Sequence, residues 1–173
     1  KNIIIFCPNG HEKCPINPIG YQWFDLSTND EKFILDQSLK AEKKIKIFIN
    51  EIKKNYKLKN KDICLSGFSQ GCMMSINIGL TAEEEFNCVI GFSGKIINKE
   101  NLNKRITSKS KFLLIHGELD TVVPPQNLLE AKDFLIRNKI VVDTKIIKDC
   151  EHSIPIDASS TALNFITKNL YID

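Results

Sequence analysis

Short apolar runs alternate with helix-length segments along most of this chain, and that alternation limits the folds open to it. Asp62-Ile63-Cys64-Leu65, Cys88-Val89-Ile90-Gly91-Phe92, Phe112-Leu113-Leu114-Ile115-His116 and Ile140 to Ile147 each read as a strand. Gln70 to Leu80, Pro125 to Asn138 and Ala158 to Asn169 read as the helices between and after them. Proline sits near the first turn of the second helix, where its missing N–H costs nothing. Strands alternating with helices imply a mostly parallel sheet with helices on both faces, an α/β fold.

Upstream of this pattern, Ile3-Ile4-Ile5-Phe6 is a continuous apolar run and is expected to be a strand buried on both faces. Cys7 to Gly20 holds three prolines and two glycines and reads as a loop. From Asp30 to Tyr56, apolar residues at 34, 41, 45, 48 and 52 trace one face of a long helix, interrupted by Ser38. Its other face is lysine-rich and is expected to be solvated. There is no internal repeat and no low-complexity linker, so residues 1–173 read as a single domain, long enough and apolar enough (42% hydrophobic) to bury a core.

Charge excludes some functions. A formal charge of +3, with both signs interspersed, does not make a nucleic-acid footprint. No apolar run reaches the roughly 18 to 20 residues of a membrane span, so stable membrane insertion is not expected. No signal peptide is visible, and a cytoplasmic protein is the expectation. The six cysteines then read as free thiols. Cys7, His11 and Cys14 lie close together but lack a fourth ligand at finger-like spacing, so no metal is expected.

In such sheets, functional groups collect at the carboxyl ends of the strands. After the strand at 62–65 comes Gly67-Phe68-Ser69-Gln70-Gly71 and then a helix. This is the G-x-S-x-G pattern in the strand–turn–helix setting of a nucleophile elbow. Such a turn is strained and tight. Glycines remove the Cβ atoms that would collide, and the serine Oγ is left at the positive end of a helix dipole. The bland alternative is a helix-capping serine in a glycine-rich turn.

A serine nucleophile needs a base, and the base needs a partner to hold its tautomer. Of the three histidines, His152 follows the last strand and is the candidate base. His116 ends a strand and reads as structural, and His11 precedes the serine in a proline-rich loop. Asp120 follows the strand ending at His116 and is the candidate orienting acid. Glu118 is a rival for that role, and Asp149 or Glu151 could be a local partner of His152. The order Ser69, Asp120, His152 is that of α/β-hydrolases. Ser93, in Gly91-Phe92-Ser93-Gly94, also follows a strand and is expected to line the site without attacking.

These segments, with His116-Gly117-Glu118-Leu119-Asp120-Thr121-Val122-Val123-Pro124, Glu151-His152-Ser153-Ile154-Pro155 and the Trp23-Phe24-Asp25 segment, resemble the phospholipase/carboxylesterase family, which includes the acyl-protein thioesterases. The resemblance implies an α/β-hydrolase that cleaves carboxylic esters or thioesters through an acyl-serine intermediate, with no cofactor. Its substrate would be a small ester or acyl thioester. Gln70 would donate its backbone N–H to the oxyanion, and Trp23 and Val123 are the candidates for lining the acyl pocket. Ordinary core packing is the alternative for Trp23. The family also carries a strand and an L-H-G-x-G-D-type loop upstream of the segment that opens this chain. The domain is therefore expected to lack that strand and the second oxyanion donor, to expose a sheet edge open to homodimer pairing, and to be weakly active. A non-catalytic domain of the same fold is the competing expectation.

Overall fold

The computed structural model describes residues 3–170. Two short strands, β1 (Glu12–Lys13), inside the segment expected to be loop, and β2 (Tyr21–Gln22), just after it, form an antiparallel ribbon. Helix α1 (Glu31–Tyr56) follows, in register with its sequence pattern. The Asp30 carboxylate caps it by accepting from the N–H groups of Lys32 and Phe33 at 3.0 and 3.1 Å. Lys57, in the left-handed region at φ 54°, ends it.

The rest is the expected alternation: β3 (Cys64–Phe68), α2 (Gln70–Leu80), β4 (Cys88–Phe92), α3 (Lys99–Asn103), β5 (Phe112–Gly117), α4 (Gln126–Arg137), β6 (Val142–Ile147) and α5 (Ile156–Leu170). The four long strands form one parallel sheet in the order β3-β4-β5-β6. Consecutive side chains on a strand point to opposite faces, and the packing follows that parity. Leu65, Val89, Phe112 and Leu114 meet Ile76 and Leu80 of α2 and Leu128 and Leu135 of α4. Ile90, Phe92, Leu113 and Ile115 meet Ala158, Ala162 and Phe165 of α5 on the other face. Helix α1 packs outside α2, bringing Ala41 and Ile49 to Met73, Met74 and Ile78. Helix α2 is thus enclosed by the sheet and α1, so every residue from Cys72 to Leu80 is buried. Each large apolar side chain buried in this way contributes about 1.5–3 kcal/mol.

Three expectations are corrected. Ile3 to Phe6 is not a buried strand: it pairs with nothing among the described residues, and Ile5 is 80% exposed. β-Branched residues favour extended backbone, but a strand needs a ladder to join, and propensity cannot supply one. Second, β3 starts at Cys64 and runs through Phe68, so the first two residues of the serine motif belong to the strand. Asp62 instead closes a 3₁₀ turn, its carboxylate accepting from the N–H of Lys59. Third, the polar side of α1 is not wholly solvated. Glu42 is 4% exposed and is held by Lys46 at 2.8 Å, Arg105 at 3.1 Å and the Thr81 hydroxyl at 2.9 Å. Ser38, which interrupts the apolar stripe, is also buried and donates to the Leu35 carbonyl. Helix α3, absent from the sequence reading, is only five residues long and is capped by Asn98. So short a segment carries no readable period.

Candidate active site

Strand β3 passes into α2 through the single residue Ser69. Its N–H extends the ladder to the Phe92 carbonyl at 2.9 Å, and its own carbonyl accepts from the N–H of Met73 at 3.1 Å. A change from strand to helix within one residue forces an unusual backbone, and Ser69 sits at φ 53°, ψ −115°. For a residue with a Cβ that conformation stores about 1–3 kcal/mol. The turn folds tightly enough that a Cβ on Gly67 would lie 2.1 Å from the carbonyl carbon of Gly71. The converse does not hold: a Cβ on Gly71 meets nothing outside its own helix. Of the two motif glycines, Gly67 alone is sterically required. The Ser69 hydroxyl makes no capping bond to α2, which removes the bland reading of a capping serine. The first-turn N–H groups of α2, Gln70 among them, have no carbonyl a turn earlier to bond within the helix.

Ser69, Ser93, Asp120 and His152 all follow the carboxyl ends of adjacent parallel strands. Asp120 is 2% exposed, and its two oxygens do different work. Oδ1 accepts from the N–H groups of Val122 and Val123 at 3.0 and 2.8 Å, which folds the loop after β5. Oδ2 lies 2.7 Å from Nδ1 of His152. Turn chemistry and a histidine contact were alternatives in the sequence; the side chain does both. Burial pushes the Asp120 carboxyl up, but hydrogen bonds from His152, Val123 and Ser93 outweigh it and hold the group below the usual carboxylate range.

The rivals go elsewhere. Glu118 is exposed and its carboxylate accepts from the N–H of Asp149. Asp149 turns the chain at φ 53°, and Glu151 is exposed. His116 is buried, with Nε2 2.7 Å from the Val123 carbonyl and 3.4 Å from Asp120 Oδ2. It buttresses the Asp120 loop, as its position at a strand end suggested. The loop after β6 is seated close to β5, where a Cβ on Gly117 would strike the carbonyls of Cys150 and Glu151 at 2.4 Å. It carries His152 back over the sheet to Phe68, with ring centroids 4.6 Å apart. His152 therefore lies against the residue preceding Ser69. Among the described residues, no hydrogen bond joins the Ser69 hydroxyl to His152.

The Gln70 side chain has a role the sequence did not signal. Its Oε1 accepts from the Trp23 N–H at 3.0 Å and its Nε2 donates to the Phe24 carbonyl at 2.9 Å, tying the Trp23-Phe24 segment to the head of α2. Phe24 is fully buried, Val123 is buried, and Trp23 packs half-buried against the same cluster. Trp23 and Val123 thus share one apolar cluster beside the elbow. A surface cavity is lined by His11, Glu12, Gln37 and lysines of α1, with no residue from the elbow or from the loops of Asp120 and His152.

The sequence profile of the phospholipase/carboxylesterase family matches residues 1–170. The chain belongs to that family. Among relatives, acyl-protein thioesterase 1 of Yarrowia lipolytica (strain CLIB 122 / E 150) is 26% identical over 113 residues, 62% of this chain and 50% of the relative. Acyl-protein thioesterase 1 of Saccharomyces cerevisiae (strain ATCC 204508 / S288c) is 28% identical over 164 residues, 86% of this chain and 68% of the relative. The chain spans half the length of the Yarrowia protein. In three dimensions it is similar to the crystal structure of esterase PE8, with a TM-score of 0.89 and 36% identity, covering 94% of this chain and 77% of that one. The fold is the family's α/β-hydrolase fold. Among the described residues, no helix is long and apolar enough to cross a membrane.

Proposed function

We propose that this domain is a serine esterase that hydrolyses carboxylic esters or acyl thioesters through an acyl-serine intermediate. The observation that carries the reading is Ser69 itself: a residue at φ 53° between strand and helix, its hydroxyl unused as a cap, at the positive end of α2. Strain of that kind persists where the surrounding structure imposes it.

In this mechanism Ser69 Oγ attacks the acyl carbonyl while Nε2 of His152 takes its proton. Asp120 holds Nδ1–H and stabilises the imidazolium that forms. The carbonyl oxygen becomes an oxyanion that accepts from the N–H of Gln70; such a donor is worth about 3–4 kcal/mol. Collapse of the tetrahedral intermediate expels the alcohol or thiol, which takes the proton from His152. Water then repeats the sequence on the acyl-enzyme, releasing the acid and restoring Ser69. Contacts of the Ser69–His152 type are often long before substrate binds and tighten in the complex. Trp23 and Val123, pinned beside the elbow through Gln70 and the Asp120 loop, are the proposed acyl-side wall.

The absent Ser69–His152 hydrogen bond favours a second reading, an α/β-hydrolase domain with little turnover. Hydrolysis of p-nitrophenyl butyrate, with Ser69→Ala as control and fluorophosphonate labelling in parallel, separates the two. Turnover and labelling that both vanish in the variant support the esterase. A wild-type chain that neither turns over nor labels refutes it.

A further inference from the structure

Cys64 and Cys88 occupy one register position of the parallel ladder, at the start of β3 and β4. Neither takes part in the site at the other end of those strands. Their sulfurs are 3.1 Å apart. Neighbouring strands lie about 4.7–4.9 Å apart, inside the roughly 4.4–6.8 Å Cα range of disulfides. Forming an S–S bond from the present separation requires the sulfurs to close by only about 1 Å. Cys64 is half-buried on β3, which among the described residues pairs only with β4, and Cys88 lies directly behind it, fully buried.

We propose that Cys64 and Cys88 form a peroxide-responsive modification site, a thiol pair that closes to a reversible disulfide between β3 and β4. One thiolate attacks a peroxide oxygen, breaking the O–O bond and giving a sulfenic acid with release of hydroxide, or of alkoxide from an organic peroxide. The second sulfur then attacks the sulfenyl sulfur and displaces its hydroxyl, which leaves as water with the second thiol's proton. Two electrons pass from the two thiols to one peroxide.

The chemistry of the pair fits that role. Contact with Cys64, aided by the Lys111 charge, holds the Cys88 thiol below its ordinary range against the opposing effect of burial, while the same contact pushes the Cys64 thiol up, so the pair ionises one sulfur at a time. The buried Cys72 of α2 behaves oppositely: burial pushes its thiol up to about 12, as in a packing residue. The cross-link would staple β3, the strand that delivers Ser69, to its neighbour.

The test uses the native chain and graded hydrogen peroxide, read by intact mass and by peptide mapping. A glutamyl endopeptidase with trypsin cuts at Glu83, Glu84 and Glu85, between the two cysteines, and fragment ions distinguish Cys64 from Cys72 on the first peptide. The expected result is the loss of two hydrogen masses ahead of any oxygen adduct on these residues. The cross-linked peptide should join Cys64 to Cys88, be reversed by dithiothreitol, and fall to background in Cys64→Ser. Oxygen adducts on Cys64 or Cys88 without the cross-link would overturn the proposal. So would an inert pair at peroxide levels that oxidise the exposed Cys7, or a cross-link between other cysteines. The wild-type map decides the matter even where the variant folds poorly, and its mass readout is independent of esterase turnover.

Discussion

The division of labour between the two oxygens of Asp120 can be tested by two substitutions. Asp120→Asn keeps an oxygen that can accept from the N–H groups of Val122 and Val123, so the loop after β5 should hold. Its amide NH₂ then faces His152 Nδ1 in place of Oδ2, which lies 2.7 Å away in the wild type. The ring is driven to the tautomer with its proton on Nε2, where it cannot accept one from Ser69. In serine–histidine–aspartate sites that inversion lowers kcat by ~10⁴, equivalent to about 5.5 kcal/mol of barrier. Asp120→Ala removes both functions. At a position only 2% exposed, it leaves two loop N–H groups without their acceptor, at about 1–3 kcal/mol each. For a chain of this length each kcal/mol moves Tm by about 2–4 °C, so the alanine variant should melt roughly 5–20 °C lower. The asparagine variant should lie much closer to wild type. The assays are p-nitrophenyl butyrate hydrolysis and thermal denaturation by circular dichroism. An asparagine variant keeping more than a tenth of wild-type kcat, or melting as low as the alanine variant, would refute this account of Asp120.

Three further outcomes follow from the geometry. Ser69→Gly should abolish hydrolysis and yet raise Tm, because glycine relieves a positive-φ strain of about 1–3 kcal/mol and gives back only part of it as chain entropy; an unchanged or lowered Tm would count against the strain. The motif glycines should part company in melting experiments. Gly67→Ala, with its Cβ 2.1 Å from backbone, should lose folded protein, whereas Gly71→Ala should gain about 0.5–1 kcal/mol as an ordinary helix substitution. Burial opposes ionisation of Glu42, but its contacts with Lys46, Arg105 and Thr81 hold the carboxyl below its ordinary value of 4.5. Its stabilisation is therefore full above that value and is lost as pH falls through the lower folded one. Melting curves from pH 7 down to pH 3 should show a shallower acid limb in Glu42→Gln than in wild type.

The amino-acid sequence by itself determined the layered α/β architecture, because hydrophobic period is a local property and the sheet's parity follows from it. Helices α1, α2 and α4 and strands β4 and β5 lie within two residues of where their patterns placed them. The serine motif was legible for a similar reason: Gly67 and Ser69 are adjacent in sequence to the turn they make. The sequence also named His152 and preferred Asp120 to Glu118, Asp149 and Glu151 as its partner, but it could not show which carboxylate the histidine touches. That contact depends on where the loop after β6 lands, and the packing of that loop against Gly117 and Phe68 brings His152 to Asp120. Tertiary structure likewise set the fate of Ile3 to Phe6, an apolar run that found no ladder, and of Glu42, whose partners lie 4, 39 and 63 residues away. The clasp of Gln70 on Trp23 and Phe24 and the pairing of Cys64 with Cys88 have the same origin. Each joins residues far apart in sequence, and a contact across such a distance has no period or spacing to announce it.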